Sequence, residues 1–349
     1  MFPYVAVLFI VYSWVSAEYK ILNRKSIFFP LFILVLLATM RYYSVGTDSK
    51  IYTTYFRFPA NNYTFQFNTE VETGYQYLVY MLQKLYSADY ILYFCIVAIL
   101  SVVPVLYTLM RKSLNYPLSL YIYITLGFYL TMYNQIRQCI AMGLCFFATK
   151  FLLEKNFFNY FLIIIIASQF HITALLMLAF YFLCHNRLRI EFKIIPILFC
   201  SAVIAPLIIA RMALNNSRYE HYTEAASNGS NGLLTVILYV LFALFFYLFG
   251  RKLRKENEEY RIYECMYLCG VALLLPVAML GTDPAGPQRI IQYFLHYVML
   301  MFPIVLQKMN SRVVSFVFML ILFFYFILTI ANNIGGIYPY KLNPVLNLF

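Results

Sequence analysis

Long apolar runs, interrupted by short polar connections, organise the whole chain. A helix that crosses a bilayer needs about 20 mainly apolar residues. Runs of that character occupy 2–18, 26–43, 89–110, 114–133, 138–154, 157–171, 172–186, 192–212, 232–250, 262–281, 289–307 and 312–331. They predict an all-α polytopic membrane protein of about twelve transmembrane helices. In "YQYLVYMLQKLYSA" (75–88), apolar residues recur at helical spacing with polar interruptions. That pattern predicts an amphipathic helix at the interface, or one dipping part-way in. The first run ends in "VSA" but lacks a basic segment before it, and many runs come after it, so it reads as a retained helix rather than a signal peptide.

Composition agrees with the pattern. Of 349 residues, 63% are hydrophobic and only 11% charged, with a mean hydropathy of +0.74. A soluble chain is closer to half apolar and a quarter charged. No polar stretch is long enough for a separate soluble domain, so one membrane domain over 1–349 is expected. The seven cysteines fall in apolar runs without a CxxC and read as small buried residues. HExxH, P-loop, GxSxG and His/Cys clusters do not occur, which leaves ATP-driven and metal-hydrolase readings unsupported. Glu70 and Glu72 form an acid-x-acid pair of a kind that can hold a divalent cation, but the spacing is common in loops, and neither metal nor cofactor is expected.

The net charge of +12 would point to nucleic acid in a soluble protein. Here the charges are sorted by membrane side, and no nucleic-acid partner is expected. With both termini extracytoplasmic, seventeen of the 26 basic residues fall on the cytoplasmic side, including "RLR" (187–189) and "RKLRK" (251–255). That majority obeys the positive-inside rule. The outer segments are then about 44–88, 213–231 and 282–288, with a tail over 332–349. Arg41, Lys50, Arg57, Lys84, Arg137, Arg211, Arg218, Arg289 and Lys341 oppose the rule. A charge at membrane depth is expensive and usually pairs with another charge, an ion or a substrate.

Several polar clusters accompany this minority. "RYYSVGTDSKIYTTYF" (41–56) packs Arg41, a Gly-Thr-Asp turn, Asp48 and Tyr52 directly after an apolar run. In "YNQIRQCIAMG" (133–143), Asn134, Arg137 and Gln138 share a helix face. "ASQFHITA" (167–174) buries His171 in apolar sequence; a lone histidine is as readily a satisfied core residue as a base. "GTDPAGPQRIIQYFLHY" (281–297) sets Arg289, Gln292 and His296 at i, i+3 and i+7 after a tight loop. An arginine at a helix start is poor for the helix and good for an anion. The 212–232 loop, with Arg218 and the adjoining Arg211, reads equally as binding loop or solvated linker, and Lys341 comes after two aromatics in the tail.

Arginine forks match phosphate geometry and hold charge without a metal. An outward, Arg-lined surface in a membrane protein therefore suggests a lipid-linked phosphate or diphosphate. The arginines would stabilise charge on the leaving diphosphate while a carboxylate or histidine takes a proton from the attacking hydroxyl.

The segments "RYYSVGTDSKIYTTYF", "RQCIAMGLCFFATKFL" and "ASQFHITALLMLAFYFL", with Arg289 and the terminal "YPYK", resemble the EpsG family of Wzy-like polysaccharide polymerases from about residue 38 to 343. Arg41, Gly46, Asp48 and Tyr52 match its first motif, Arg137, Gln138 and Ala141 the second, and Phe170 and His171 the third. The resemblance implies a glycosyltransferase of the bacterial cytoplasmic membrane. Such a protein moves a growing glycan from undecaprenyl diphosphate to a lipid-linked oligosaccharide repeat on the outer side, in capsule, exopolysaccharide or lipopolysaccharide synthesis. Its partners are that lipid-linked oligosaccharide, membrane lipids and a candidate chain-length regulator. The chemistry makes Asp48 and His171 the proton acceptors and Arg41, Arg137 and Arg289 the diphosphate ligands. Weaker contacts fall to Tyr52, Arg57, Gln138, Arg211, Arg218, Gln292 and Lys341. Another lipid-phosphate-dependent transferase, a glycan ligase, or a flippase or transporter of lipid-linked oligosaccharide are the alternatives.

Overall fold

The computed structural model describes residues 1–58, 66–86, 89–215, 233–280 and 286–345; at 208–215 and 233–234 only the backbone is described. The longer helices are α1 (Phe2–Ile21), α2 (Phe28–Thr39), α3 (Thr73–Leu85), α4 (Ile91–Lys112), α5 (Tyr116–Thr125), α6 (Ile136–Phe147), α7 (Phe157–Ser168), α8 (Leu176–His185), α9 (Ile190–Asn215), α10 (Leu233–Phe249), α11 (Glu258–Met279), α12 (Val298–Met309) and α13 (Arg312–Ala331). Among the described residues there is no strand, only an isolated antiparallel bridge between Arg41 and Leu342. The all-α expectation holds.

Twelve spans are not confirmed. Among the described residues six helices are long and apolar enough to cross a membrane, or seven when Pro287–Leu295 and Val298–Met309, bent by 45°, count as one. The reason lies in the residues that interrupt the apolar runs. The run 114–133 gives α5, only 10 residues long, which stops before Gly127 at φ +79° and resumes as a 3-10 turn at Leu130–Tyr133. Ten residues rise about 15 Å, half a hydrocarbon core. The run 157–186 breaks at Gln169–His171, where His171 is extended, and yields the short α7 and α8. The amphipathic helix expected in 75–88 is present as α3, which buries Tyr75, Val79 and Leu82.

Two compact units divide the chain: Met1–Met177 with Leu306–Phe349, and Leu178–Val305. In the first, α2 packs on α4, α4 on α6, and α1 on α2 and α5. One end of this unit joins 18–26 to 111–119. There Lys25 donates to the Ser113 carbonyl at 2.8 Å, the Tyr19 hydroxyl to that of Leu114 at 3.1 Å, and Arg24 pairs with Glu18 at 2.7 Å. The other end gathers the polar segments around Asp48, Arg137 and Gly335. In the second unit, α11 packs against α9 and α10.

Short and broken helices leave backbone carbonyls without a partner, which hydrocarbon cannot solvate. Tyrosine answers that need at Ile337 and Leu37, and gives the helical carbonyls of Leu34 and Met177 a second donor. The hydroxyls of Tyr4, Tyr129, Tyr160 and Tyr340 donate to the carbonyls of Ile337 (2.6 Å), Leu34 (2.6 Å), Met177 (2.9 Å) and Leu37 (2.7 Å). Many of the 34 tyrosines are thus core residues with a polar task, rather than a belt facing lipid.

Candidate active site

The polar end of the first unit begins where α2 ends. Three donors cap its last carbonyls and the start of the next segment. Arg41 donates to Ala38, the Asn343 amide to Met40 at 2.9 Å, and the Tyr42 amide to Lys341 at 2.8 Å. A cation suits a helix C-terminus. The Arg41 guanidinium is sandwiched between Phe94, 3.5 Å from its ring centre, and Tyr133, 4.3 Å away. At 1% exposure it has no open face for a ligand. Arg41 thus anchors the Gly46-Thr47-Asp48 turn just beyond it.

Gly46 sits at φ +101°, a conformation open to glycine, and a Cβ there would lie 2.5 Å from the Tyr133 carbonyl. Its amide donates to the Gly336 carbonyl at 2.8 Å, and the Thr47 amide to Gly335 at 3.2 Å. Asn134 donates its amide to the same Gly335 carbonyl at 2.8 Å. The Thr47 hydroxyl lies 3.1 Å from both Asp48 Oδ1 and Asn134 Oδ1 and donates to one at a time. Ser49 donates to the Tyr133 carbonyl at 2.8 Å. Three distant stretches, 46–49, 133–134 and 335–336, are thereby locked together.

Three residues beyond Asn134, Arg137 opens the second half of the cluster. Its guanidinium pairs with Glu72, whose other oxygen accepts from the Ile172 amide at 3.1 Å. It also lies beside the Tyr52 hydroxyl and 5.9 Å from the Tyr75 ring centre. Tyr52 meets Tyr75 edge-on at 6.1 Å, and the Tyr75 and Tyr93 hydroxyls share a 2.7 Å hydrogen bond. The Tyr75 amide donates to the Gln169 carbonyl at 3.1 Å, and a Cβ on Gly74 would strike Gln169 at 2.7 Å. Here His171 enters, its Nδ1 2.6 Å from the Thr173 hydroxyl. The three segments read from the sequence as motifs therefore converge: Tyr52 of the first on Arg137 of the second, and Arg137, through Glu72, on the backbone beside His171 of the third.

Arg137 remains partly open, its side chain 28% exposed. Asp48 is half-buried and His171 likewise. Asp89, just before α4, accepts from Ile91 (2.7 Å) and Asn343 (3.0 Å); burial pushes its carboxyl up while these donors pull it down. The chemistry available here is that of an anion site: one guanidinium braced by a carboxylate, with phenols and a glycine-rich turn around it.

Other expected contacts fall elsewhere. Arg57 donates to the Lys50 carbonyl at 2.9 Å and stacks over Tyr43 at 4.1 Å. Gln138 is buried, and Lys341 is exposed with its carbonyl tied to Tyr42. Arg289 and Gln292 belong to the second unit, where Pro287–Ile291 is a 3-10 turn and the next helix, Gln292–Leu295, is short. His296 is buried with Nδ1 on the Gln292 carbonyl at 2.9 Å. Arg211 lies in α9 without a described side chain, and Arg218 and the 281–283 Gly-Thr-Asp string lie outside the described residues.

The EpsG family model matches residues 24–342, which takes in every segment of this cluster. The chain belongs to the EpsG family. That family is associated with Wzy-like polymerases. A search of curated proteins gives no match, and a search of solved structures gives none either. Family membership carries a glycosyltransferase-type polymerase role in polysaccharide biosynthesis in general terms. Sequence reasoning had overlooked Glu72 as the partner of Arg137 and the Gly335-Gly336 pair. The signals available were the Glu70/Glu72 acid pair and a double glycine in the tail of an apolar chain.

Proposed function

We propose that this EpsG-family protein polymerises a lipid-linked oligosaccharide at the polar end of its first unit. The reading rests chiefly on one observation: Arg137, partly open, is braced by Glu72 and Tyr52 where all three motif segments meet. The donor is a glycan on undecaprenyl diphosphate, and the acceptor a hydroxyl of the incoming repeat unit. The hydroxyl oxygen attacks the anomeric carbon, the bond from that carbon to the diphosphate oxygen breaks, and the proton passes to Asp48, with His171 as the second candidate. Arg137 neutralises the charge that grows on the diphosphate, a contact worth most in the transition state. Glu72 and Tyr52 fix the guanidinium and leave its remaining N–H donors for the ligand.

We assign Arg41 to positioning, because its guanidinium is enclosed by Phe94, Tyr133 and the α2 terminus. Arg289 stays a candidate second diphosphate ligand on chemistry alone. The positive-inside majority supports an outer-side location for this end, on the bacterial cytoplasmic membrane, with a chain-length regulator as a candidate partner.

The test is separation of lipid-linked glycans made by Arg137→Ala and Arg137→Lys proteins at matched membrane levels. Single repeat units should accumulate at the expense of long chains in both, since lysine lacks the planar fork. Wild-type chain lengths in Arg137→Ala would overturn the assignment.

A further inference from the structure

We propose a second anion site, for a ligand carrying phosphoryl groups, in a basic hollow of the Leu178–Val305 unit. The connection between α8 and α9 contributes Arg187 and Arg189, and the first turn of α9 adds Lys193. The connection between α10 and α11 contributes Arg251, Arg254 and Lys255, and the first turn of α11 adds Arg261. They enclose a cavity of about 490 Å³, within the usual range of small-molecule sites. Only Glu191 and Glu264 oppose them in its wall.

Topology explains why these loops are basic. It does not explain why two loops some sixty residues apart close on one hollow, since orientation needs only charge near the span ends.

The interior of the hollow is organised. Glu264, 1% exposed, holds Arg254 at 2.8 Å through a second guanidinium nitrogen and at 2.5 Å through Nε. Glu191 is occupied by the Tyr247 hydroxyl at 2.7 Å. Both acids therefore have partners already. Lys193 is 4% exposed, and its ammonium rests on the Asn186 carbonyl at 2.7 Å and the Cys265 sulfur at 3.8 Å. Among the described residues no carboxylate lies within ion-pair distance of Arg187, Arg189, Arg251 or Lys255. Lys193 is a buried cation with no described carboxylate at ion-pair distance, which is costly, and the exposed Arg187, Arg189, Arg251 and Lys255 beside it add positive potential that an entering anion meets. Phosphoryl oxygens match that arrangement of forks and point charges.

The ligand is either a soluble diphosphate-bearing anion or the headgroup of an anionic lipid, and the site stands whether or not the polymerase reading does. Full-length protein is tested with inorganic diphosphate in detergent by calorimetry. A second arm compares its thermal unfolding in phosphatidylglycerol and phosphatidylcholine nanodiscs. The variants are R189Q/R251Q and, should that pair fail to fold, R187Q/K255Q. K20Q/K84Q removes equal charge at exposed sites elsewhere in the chain.

Diphosphate binding that weakens about tenfold or more in the pocket variant but not in K20Q/K84Q supports a soluble ligand. No diphosphate binding, with a phosphatidylglycerol stabilisation lost only in the pocket variant, supports a lipid headgroup. Absence of both effects, or equal losses in both double variants, overturns the site.

Discussion

Replacing Gly46 by alanine tests whether the Gly-Thr-Asp turn is held as tightly as the active-site reading requires. At φ +101° a side chain costs about 1–3 kcal/mol in backbone strain alone. The new Cβ would sit 2.5 Å from the Tyr133 carbonyl and 3.0 Å from both Asn134 Oδ1 and Ser49 Oγ, so the turn must move away. Moving it stretches the Gly46–Gly336 and Ser49–Tyr133 hydrogen bonds, each 2.8 Å and worth about 1 kcal/mol net. Together these give a local cost of about 3–5 kcal/mol. Gly127 provides the control, with φ +79° but nothing within 4 Å of its added Cβ, so Gly127→Ala carries the strain and no clash. The assay pairs thermal unfolding in detergent with the ladder of lipid-linked glycans. Gly46→Ala should lower activity by roughly 100-fold, the usual result of displacing a reacting group by about 1 Å. Gly127→Ala should lose some stability and keep its ladder. Equal ladders in the two variants, at matched protein levels, would refute the reasoning.

The same contacts set further outcomes. Glu72→Gln keeps an acceptor for the Ile172 amide and removes the charge bracing Arg137; it should shorten chains less than Arg137→Lys does, and equal defects would make the pair purely architectural. Asp48→Asn should abolish the loss of rate that protonation of a carboxylate base imposes on the acidic side, as read from initial rates against pH. An unchanged acidic limb at reduced rate would assign Asp48 to holding the turn. Tyr340→Phe strips the donor from the Leu37 carbonyl in the last turn of α2 and should cost about 1–3 kcal/mol, read as a lower unfolding midpoint. No change in midpoint would show that carbonyl to be satisfied otherwise.

Local polarity marked segments that meet in the structure, and was a poor guide to how each charge is settled. The spacing in 75–88 was enough to place Tyr75, Val79 and Leu82 on one buried face. The unusual cost of arginines off the cytoplasmic side drew attention to the 41–57 and 133–138 segments, which do meet. Arg41 and Arg137 looked alike in that light. They differ because rings and a helix end surround one, whereas a carboxylate at the surface braces the other, and ring faces 50 residues or more away in sequence leave no trace beside Arg41. The twelve-span expectation goes unconfirmed for a related reason. Hydropathy registers the apolar residues of 114–133 and is blind to the turn at Gly127 that halves the helix.

The shortened helices and the tyrosine content are two sides of one arrangement. A span broken inside hydrocarbon is tolerated only where protein satisfies the freed carbonyls. Tyr4 does so for the Ile337 carbonyl at 2.6 Å and Tyr340 for that of Leu37 at 2.7 Å, as Arg41 does at the end of α2, while Tyr129 and Tyr160 add a second donor to carbonyls inside helices. Two of these tyrosines, Tyr4 and Tyr340, tie α1, α2 and the tail to one another, and the tail in turn closes over Gly46 through Gly335 and Gly336. Tyr4 and Tyr340 therefore keep irregular backbone in place. That irregular backbone presents Asp48, while the first turn of α6 presents Arg137, and both belong to one unit.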